Sequence, residues 1–214
     1  MKKIQLKICG MKYHDNILNI SSLNPDYMGF IFWEKSKRNI ELDSIPEIPK
    51  TIKKVGVFVD ASINEINSKI KQYELQIIQL HGNESVEFVK DLSGKTDAEL
   101  WKVVSVGDQI DWGSLESFLP FVNKFLFDTA TATHGGSGKR FDWRVLKTYP
   151  FHKSFLLSGG LDEQSAEEVL ALRQQIPQLQ GVDLNSKFED APGLKNIEKL
   201  KNFKSSLMHS GINN

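Results

Sequence analysis

A chain of 214 residues with 40% hydrophobic and 25% charged residues can bury a real core and has no composition that favours disorder. Its 27 basic residues balance its 27 acidic ones, which excludes a broad electrostatic footprint for nucleic acid or an anionic membrane, so any anion must be bound locally. One cysteine excludes an internal disulfide, and the histidines His14, His81, His134, His152 and His209 lack zinc-ligand spacing.

No apolar run approaches the roughly 20 residues of a membrane span, and the charged opening "MKKIQLKICGMK" does not read as a signal peptide. The expectation is a cytoplasmic protein without metal, nucleic-acid or membrane partners. In chain order, short runs rich in β-branched and aromatic residues recur as "KIQLKI", "MGFIF", "KKVGVFV", "LQIIQLH", "LWKVVSV", "KFLFD", "KSFLLSG" and "GVDLN". Between and after them come "HDNILNISSL", "DASINEINSKIKQY", "NESVEFVKDL", "DWGSLESFL", "FDWRVLKTY", "LDEQSAEEVLALRQQ" and "PGLKNIEKLKNF", several opening on residues that start helices. The connection after "MGFIF" is interrupted by proline. Alternation of this kind predicts an α/β fold, a single (β/α)8 TIM barrel of parallel strands over residues 1–205, with 206–214 as a flexible tail. An open doubly wound sheet is the alternative, although "CGMKYHD" after the first strand lacks the G-x-G-x-x-G turn of a dinucleotide site.

Active sites of such barrels lie where strands end. In the first strand, alternation sets Ile4, Leu6 and Ile8 toward the helices and Gln5, Lys7 and Cys9 toward the interior. Cys9 is either a small buried hydrophobe or a reactive thiol whose pKa Lys7 lowers. Asp128 ends the sixth strand on the same side as Leu126 and Lys124; it is a helix cap, a partner for a nearby lysine or, across the mouth from Cys9, half of an acid–base couple. After the seventh strand, Gly159 and Gly160 make either an ordinary turn or a close backbone approach to phosphate, a common use of the loops after strands seven and eight. "HGGSGKRFDW" (134–143) fails the P-loop spacing and fits a loop covering the mouth. "WEKSKRNI" brings Lys35, Lys37 and Arg38 near the mouth, as a solvated basic loop or with Arg38 as a fork for a carboxylate.

Taken together, "KICG" (7–10), "GFIFWEKSKR" (29–38), "VGVFV" (55–59), "IQLHG" (78–82), "FDT" (127–129), "GGSGKRFDW" (135–143), "LSGGL" (157–161) and "GVDLNSKFEDAPGLKN" (181–196) resemble the phosphoribosylanthranilate isomerase family, in the family's order and over nearly the whole chain. The resemblance implies the Amadori rearrangement of tryptophan biosynthesis, with N-(5-phosphoribosyl)anthranilate as the phosphorylated small-molecule substrate. It implies Asp128 as general acid on the furanose oxygen and Cys9 as general base at C2′. Lys7, Arg38, His81 and Asp183 would line the substrate site, with Arg38 on the anthranilate carboxylate; Gly136, Gly159, Gly160, Asn185 and Ser186 would line the phosphate pocket. No cofactor is implied, because the iminium intermediate is itself the electron sink, and the assembly would be a monomer or homodimer. Lys187 stands where members often carry glycine, which predicts a penalty of roughly 1 kcal/mol if that position requires positive φ.

Related barrels fit less well. A ribulose-phosphate epimerase would want metal-ligating histidines and aspartates at the mouth, and an indole-glycerol-phosphate synthase would want catalytic lysine and glutamate. Isomerases of the analogous histidine-pathway aminoaldose typically use aspartates in both roles, so Cys9 favours the tryptophan substrate. A barrel that only binds a phosphorylated metabolite would have no need of Cys9 facing Asp128.

Overall fold

The computed structural model describes residues 3–130 and 140–209. Eight strands, β1 (Gln5–Cys9), β2 (Tyr27–Phe32), β3 (Lys53–Phe58), β4 (Ile77–Leu80), β5 (Glu99–Val106), β6 (Lys124–Thr129), β7 (Phe155–Leu157) and β8 (Leu179–Leu184), pair in parallel in chain order. β8 pairs back onto β1, with Lys7 opposite Asp183, and this closure rules out the open sheet. The outer layer comprises α1 (His14–Ser21), α2 (Ile63–Tyr73), α3 (Val86–Ser93), α4 (Trp112–Glu116), α5 (Ala166–Gln175) and α6 (Ile197–His209). Ser62, Ser85 and Asp111 start α2, α3 and α4 by accepting hydrogen bonds from the backbone N–H groups of Glu65, Phe88 and Ser114. No helix among the described residues is long and apolar enough to cross a membrane.

Strand alternation sorts the side chains into two shells. Ile8, Phe30, Phe125 and Phe127 are fully buried under the helices, whereas Tyr27, Val55, Ile77, Trp101, Val103, Leu126 and Leu156 fill the barrel interior. Burying each such large apolar side chain contributes about 1.5–3 kcal/mol, so the interior is a packed plug rather than a channel. Polar residues at the same inward register occupy its two ends. At the floor, Lys124 donates to Gln5 Oε1 at 2.8 Å and to the Tyr27 hydroxyl at 3.0 Å, with its ammonium 5.1 Å from the Trp101 ring centroid.

The outer layer departs from the sequence expectation in four places. The connection from β2 to β3 has no helix; Pro46 and Pro49 each remove a backbone donor there, and Ile40, Leu42, Ile45 and Ile48 cover the barrel from an irregular segment instead. "FDWRVLKTY" forms a 3₁₀ turn over Trp143–Thr148, begun by the Asp142 side chain and closed before Pro150. "PGLKNIEKLKNF" opens with the return strand of a two-stranded ribbon, β9 (Glu189–Ala191) and β10 (Leu194–Lys195), and becomes helical only at Ile197. The expected tail beginning at residue 206 is corrected as well: α6 continues to His209, because Leu207 still has an apolar surface to bury against. Residues 210–214 lie outside the described residues.

Candidate active site

The ends of β1 and β8 meet in a buried ion pair. Lys7, fully buried, donates to Asp183 Oδ1 at 2.9 Å, and its ammonium acts electrostatically on the Cys9 thiol one pleat further on. Room for this arrangement comes from β2. Gly29 stands in register with Cys9, and a β-carbon on it would lie 2.8 Å from Cys9 Sγ and 3.1 Å from Lys7 Nζ. Burial opposes a charged Lys7, but Asp183 and Cys9 outweigh it and hold the lysine above its ordinary pKa. Cys9 behaves differently from the sequence expectation. Burial pushes the thiol up, Asp183 adds to that, and the pull of Lys7 and Lys195 does not compensate, so the thiol sits above its ordinary pKa rather than below it.

Asp128, at the end of β6, faces the same ion pair. Its Oδ1 accepts from the Thr129 N–H at 2.8 Å, and His81 Nε2 stands 3.6 Å from Oδ2. Burial first, and then the negative charge of Asp183, raise its pKa to about 6, against the pull of Thr129, Lys7 and Ser158. A carboxyl at that value exchanges protons readily near neutrality, as a general acid must. His81 is held from below, where Gln79 Nε2 lies 3.3 Å from His81 Nδ1.

The loop after β7 begins beside Asp128. Gly159 has φ +83°, and a β-carbon there would lie 2.3 Å from Thr129 Oγ1 and 2.9 Å from Asp128 Oδ1, so this turn requires glycine on both counts. Gly160 follows at φ +70°. After β8, Asn185 leads into a short 3₁₀ turn, Ser186–Phe188. Lys187 lies inside that turn and is not among the non-glycine residues with positive φ, which among the described residues are Asn24, Asp60 and Glu74, so the anticipated strain does not arise. Gly136, together with the rest of the loop expected to cover the mouth up to Lys139, falls outside the described residues.

Arg38 reaches the first strand end from the loop after β2. A β-carbon on Gly10, which has φ +75°, would meet Arg38 Cδ at 2.8 Å and Asn185 Oδ1 at 2.9 Å, so the arginine and the asparagine flank the residue after Cys9. The site therefore gathers Lys7, Cys9, Arg38, His81, Asp128, Gly159, Gly160, Asp183, Asn185 and Ser186 at one end of the barrel. Reading the residues singly misses Gly29, Glu189 and Lys195. Lys195 is buried and donates to Asn185 Oδ1 at 2.7 Å and Glu189 Oε1 at 2.5 Å; burial pushes its pKa down to about 8. The glycine interrupting "YMGFIF" was a usable signal for Gly29, and the stretch 181–196 contains Glu189 and Lys195 without showing that they form a ribbon or what they touch.

This geometry can supply a proton from the Asp128 carboxyl and take one up on a Cys9 thiolate, with the Lys7–Asp183 pair acting on both groups. Among the described residues no group of three or more His, Cys, Asp and Glu is arranged to hold a metal ion. A model of the family described as N-(5'phosphoribosyl)anthranilate (PRA) isomerase matches residues 6–206. The N-(5'-phosphoribosyl)anthranilate isomerase of Parabacteroides distasonis is 41% identical, over 97% of this chain and 95% of its own. The crystal structure of phosphoribosyl anthranilate isomerase from Thermus thermophilus matches with a TM-score of 0.82 and 26% identity, over 97% of this chain and 100% of that one. A phosphoribosyl anthranilate isomerase in complex with reduced 1-(o-carboxyphenylamino)-1-deoxyribulose 5-phosphate matches with a TM-score of 0.74 and 27% identity, over 96% and 99% of the two chains.

Proposed function

The chain belongs to the N-(5'-phosphoribosyl)anthranilate isomerase family, and from that premise we propose that Cys9 and Asp128 carry its reaction by general acid–base catalysis. The reaction converts N-(5'-phosphoribosyl)anthranilate to 1-(2-carboxyphenylamino)-1-deoxyribulose 5-phosphate, a step of tryptophan biosynthesis. The observation that carries the assignment of roles is the placement of both groups against one buried pair, Lys7–Asp183, with their pKa values set apart.

Asp128 donates its proton to the furanose ring oxygen as the C1′–O bond breaks, and the anthranilate nitrogen lone pair forms the iminium. Its pKa of about 6 leaves a protonated fraction of roughly a tenth at pH 7. The Cys9 thiolate then takes the C2′ proton, the electron pair flows into the iminium, and the resulting enolamine tautomerises to the aminoketose. No cofactor is needed, because the iminium accepts the electrons. Lys7 faces the thiolate as it forms and stabilises it, while Asp183 keeps Lys7 in place. Arg38 binds the anthranilate carboxylate, and His81 lines the substrate site beside the acid. Gly159, Gly160, Asn185 and Ser186 form the phosphate end, where the Gly159–Gly160 turn presents backbone N–H groups without a side chain in the way, and Gly136, outside the described residues, is assigned to it from the family resemblance. We place the protein in the cytoplasm as a monomer or homodimer.

The test is a steady-state assay with freshly generated phosphoribosylanthranilate, following loss of its fluorescence. The unaltered chain should turn over, and Cys9→Ala should lose about 10²–10⁴-fold in kcat while still binding a reduced product analogue. Persistent turnover in Cys9→Ala would return the cysteine to packing.

A further inference from the structure

A buried carboxylate outside the reacting centre takes hydrogen bonds from three sides. Glu189, at the start of the ribbon, accepts from Arg38 Nε at 2.9 Å on Oε1 and 3.0 Å on Oε2, and from Arg38 Nη2 at 2.8 Å on Oε2. Its Oε1 also accepts from Lys195 Nζ at 2.5 Å and from the Gly193 N–H at 3.1 Å. The Glu189 side chain is only 4% exposed, and Lys195 is in turn tied to Asn185. The carboxylate is thus fixed from the ribbon side by the lysine and the loop amide, and it takes one complete edge of the guanidinium.

That edge pairing decides what Arg38 can do. A guanidinium has five N–H donors in a planar fork; Glu189 engages Nε and Nη2, which leaves the Nη1 end to pair with a second planar acceptor. Arg38 is anchored while 16% of its side chain stays exposed, and its Cδ packs beside Gly10, one residue beyond Cys9. Without Glu189, Arg38 and Lys195 would be two cations that had approached the same oxygen to within 3 Å, and they would repel.

We propose that Glu189 is a positioning residue for the isomerisation, holding the Arg38 guanidinium edge-on so that its free end meets the aromatic carboxylate of the substrate in one orientation. The proposal rests on the reading of Arg38 as the carboxylate ligand. Glu189 touches no reacting atom; it acts on the binding of the substrate carboxylate through Arg38, and β9–β10 is the element that delivers it.

A double-mutant cycle tests this. Glu189→Gln keeps the shape and removes the charge, and it should raise KM about tenfold or more with kcat changed less than about threefold. In an Arg38→Ala background the same substitution should change KM less than about twofold, because the residue it acts through is gone. Thermal melting of each variant is the control for folding, and Glu189→Asp, which keeps the charge but withdraws it by one methylene, is read the same way if the glutamine variant does not fold. A KM that rises with Arg38→Ala but not with either Glu189 variant would overturn the positioning role alone. Equal loss in both backgrounds, following the melting temperature, would make Glu189 merely structural. A KM unmoved by Arg38→Ala would overturn the reading of Arg38 and this proposal with it.

Discussion

The barrel holds a lysine at each end of its interior, and the two are accommodated in opposite ways. At the floor, the hydrogen-bond partners of Lys124 are neutral, with Gln5 and Tyr27 accepting from its ammonium and the Tyr27 and Trp101 rings 5.2 and 5.1 Å away. Burial there pushes its pKa down, and Glu99 only partly restores it. At the mouth, Lys7 is fully buried yet held above its ordinary value, because a carboxylate and a thiol lie against it. The floor satisfies one charge with dipoles and aromatic faces. The mouth buries a carboxylate, a second carboxyl, a thiol and two lysines together, and that burial, with the charge of Asp183, drives Asp128 and Cys9 toward their neutral forms against the pull of the lysines. One end of the plug is arranged for stability, and the other keeps groups poised to exchange protons at some expense of stability.

Removing the acid should break the comparison most sharply. Asp128→Asn should reduce kcat/KM by about 10²–10⁴-fold, since the ring oxygen loses its proton donor. The same change should stabilise the fold. A carboxyl raised from 3.8 to about 6 favours folding only while protonated; that contribution is present below the unfolded value and is lost as pH rises through about 6. At pH 7 the ionised form therefore costs about 1–3 kcal/mol that asparagine avoids, less where water reaches the carboxylate. Paired assay and thermal melts should show activity falling while the melting temperature rises, and a lower melting temperature would mean that the carboxylate is a structural partner.

A smaller effect sharpens the same contrast. The competent form pairs protonated Asp128 with ionised Cys9, the minority arrangement when the acid has the lower pKa. Below about pH 6 the acid stays protonated while the thiolate declines, so kcat/KM should fall about tenfold per unit. Above that point a plateau should extend until the raised thiol value is reached, after which loss of the acid's proton brings a second decline. A rate already falling between pH 7 and 8 would place the thiol below its ordinary value and contradict the burial argument.

The smallest effect on activity belongs to the floor. Lys124→Met should leave kcat and KM within about twofold and shift stability by about 1–2 kcal/mol, as lost hydrogen bonds to Gln5 and Tyr27 are offset by relief of a buried charge. Urea unfolding and the assay on one preparation check both halves. A large loss of turnover would mean that the two ends of the interior are coupled.

The eight strands were legible as short runs rich in β-branched and aromatic residues, and period-two alternation in the first and sixth oriented Lys7, Cys9 and Asp128 correctly. The missing second helix was only partly legible, since Pro46 and Pro49 forbid a helix without saying what covers the barrel instead. The ribbon was not legible: "EDAPGLKN" carries turn residues that suit a helix start as well as a hairpin, and Glu189 gains its meaning from Arg38, 151 positions away.

By itself the sequence determined the order of elements, the side of the sheet each residue faces and the membership of the family, because these depend on local periodicity and on short motifs in a fixed order. Only the tertiary structure decided the protonation states and the supporting contacts. Desolvation depends on everything packed around a group, so a thiol beside a lysine reads as acidified along the chain and proves the opposite once the barrel has closed over it.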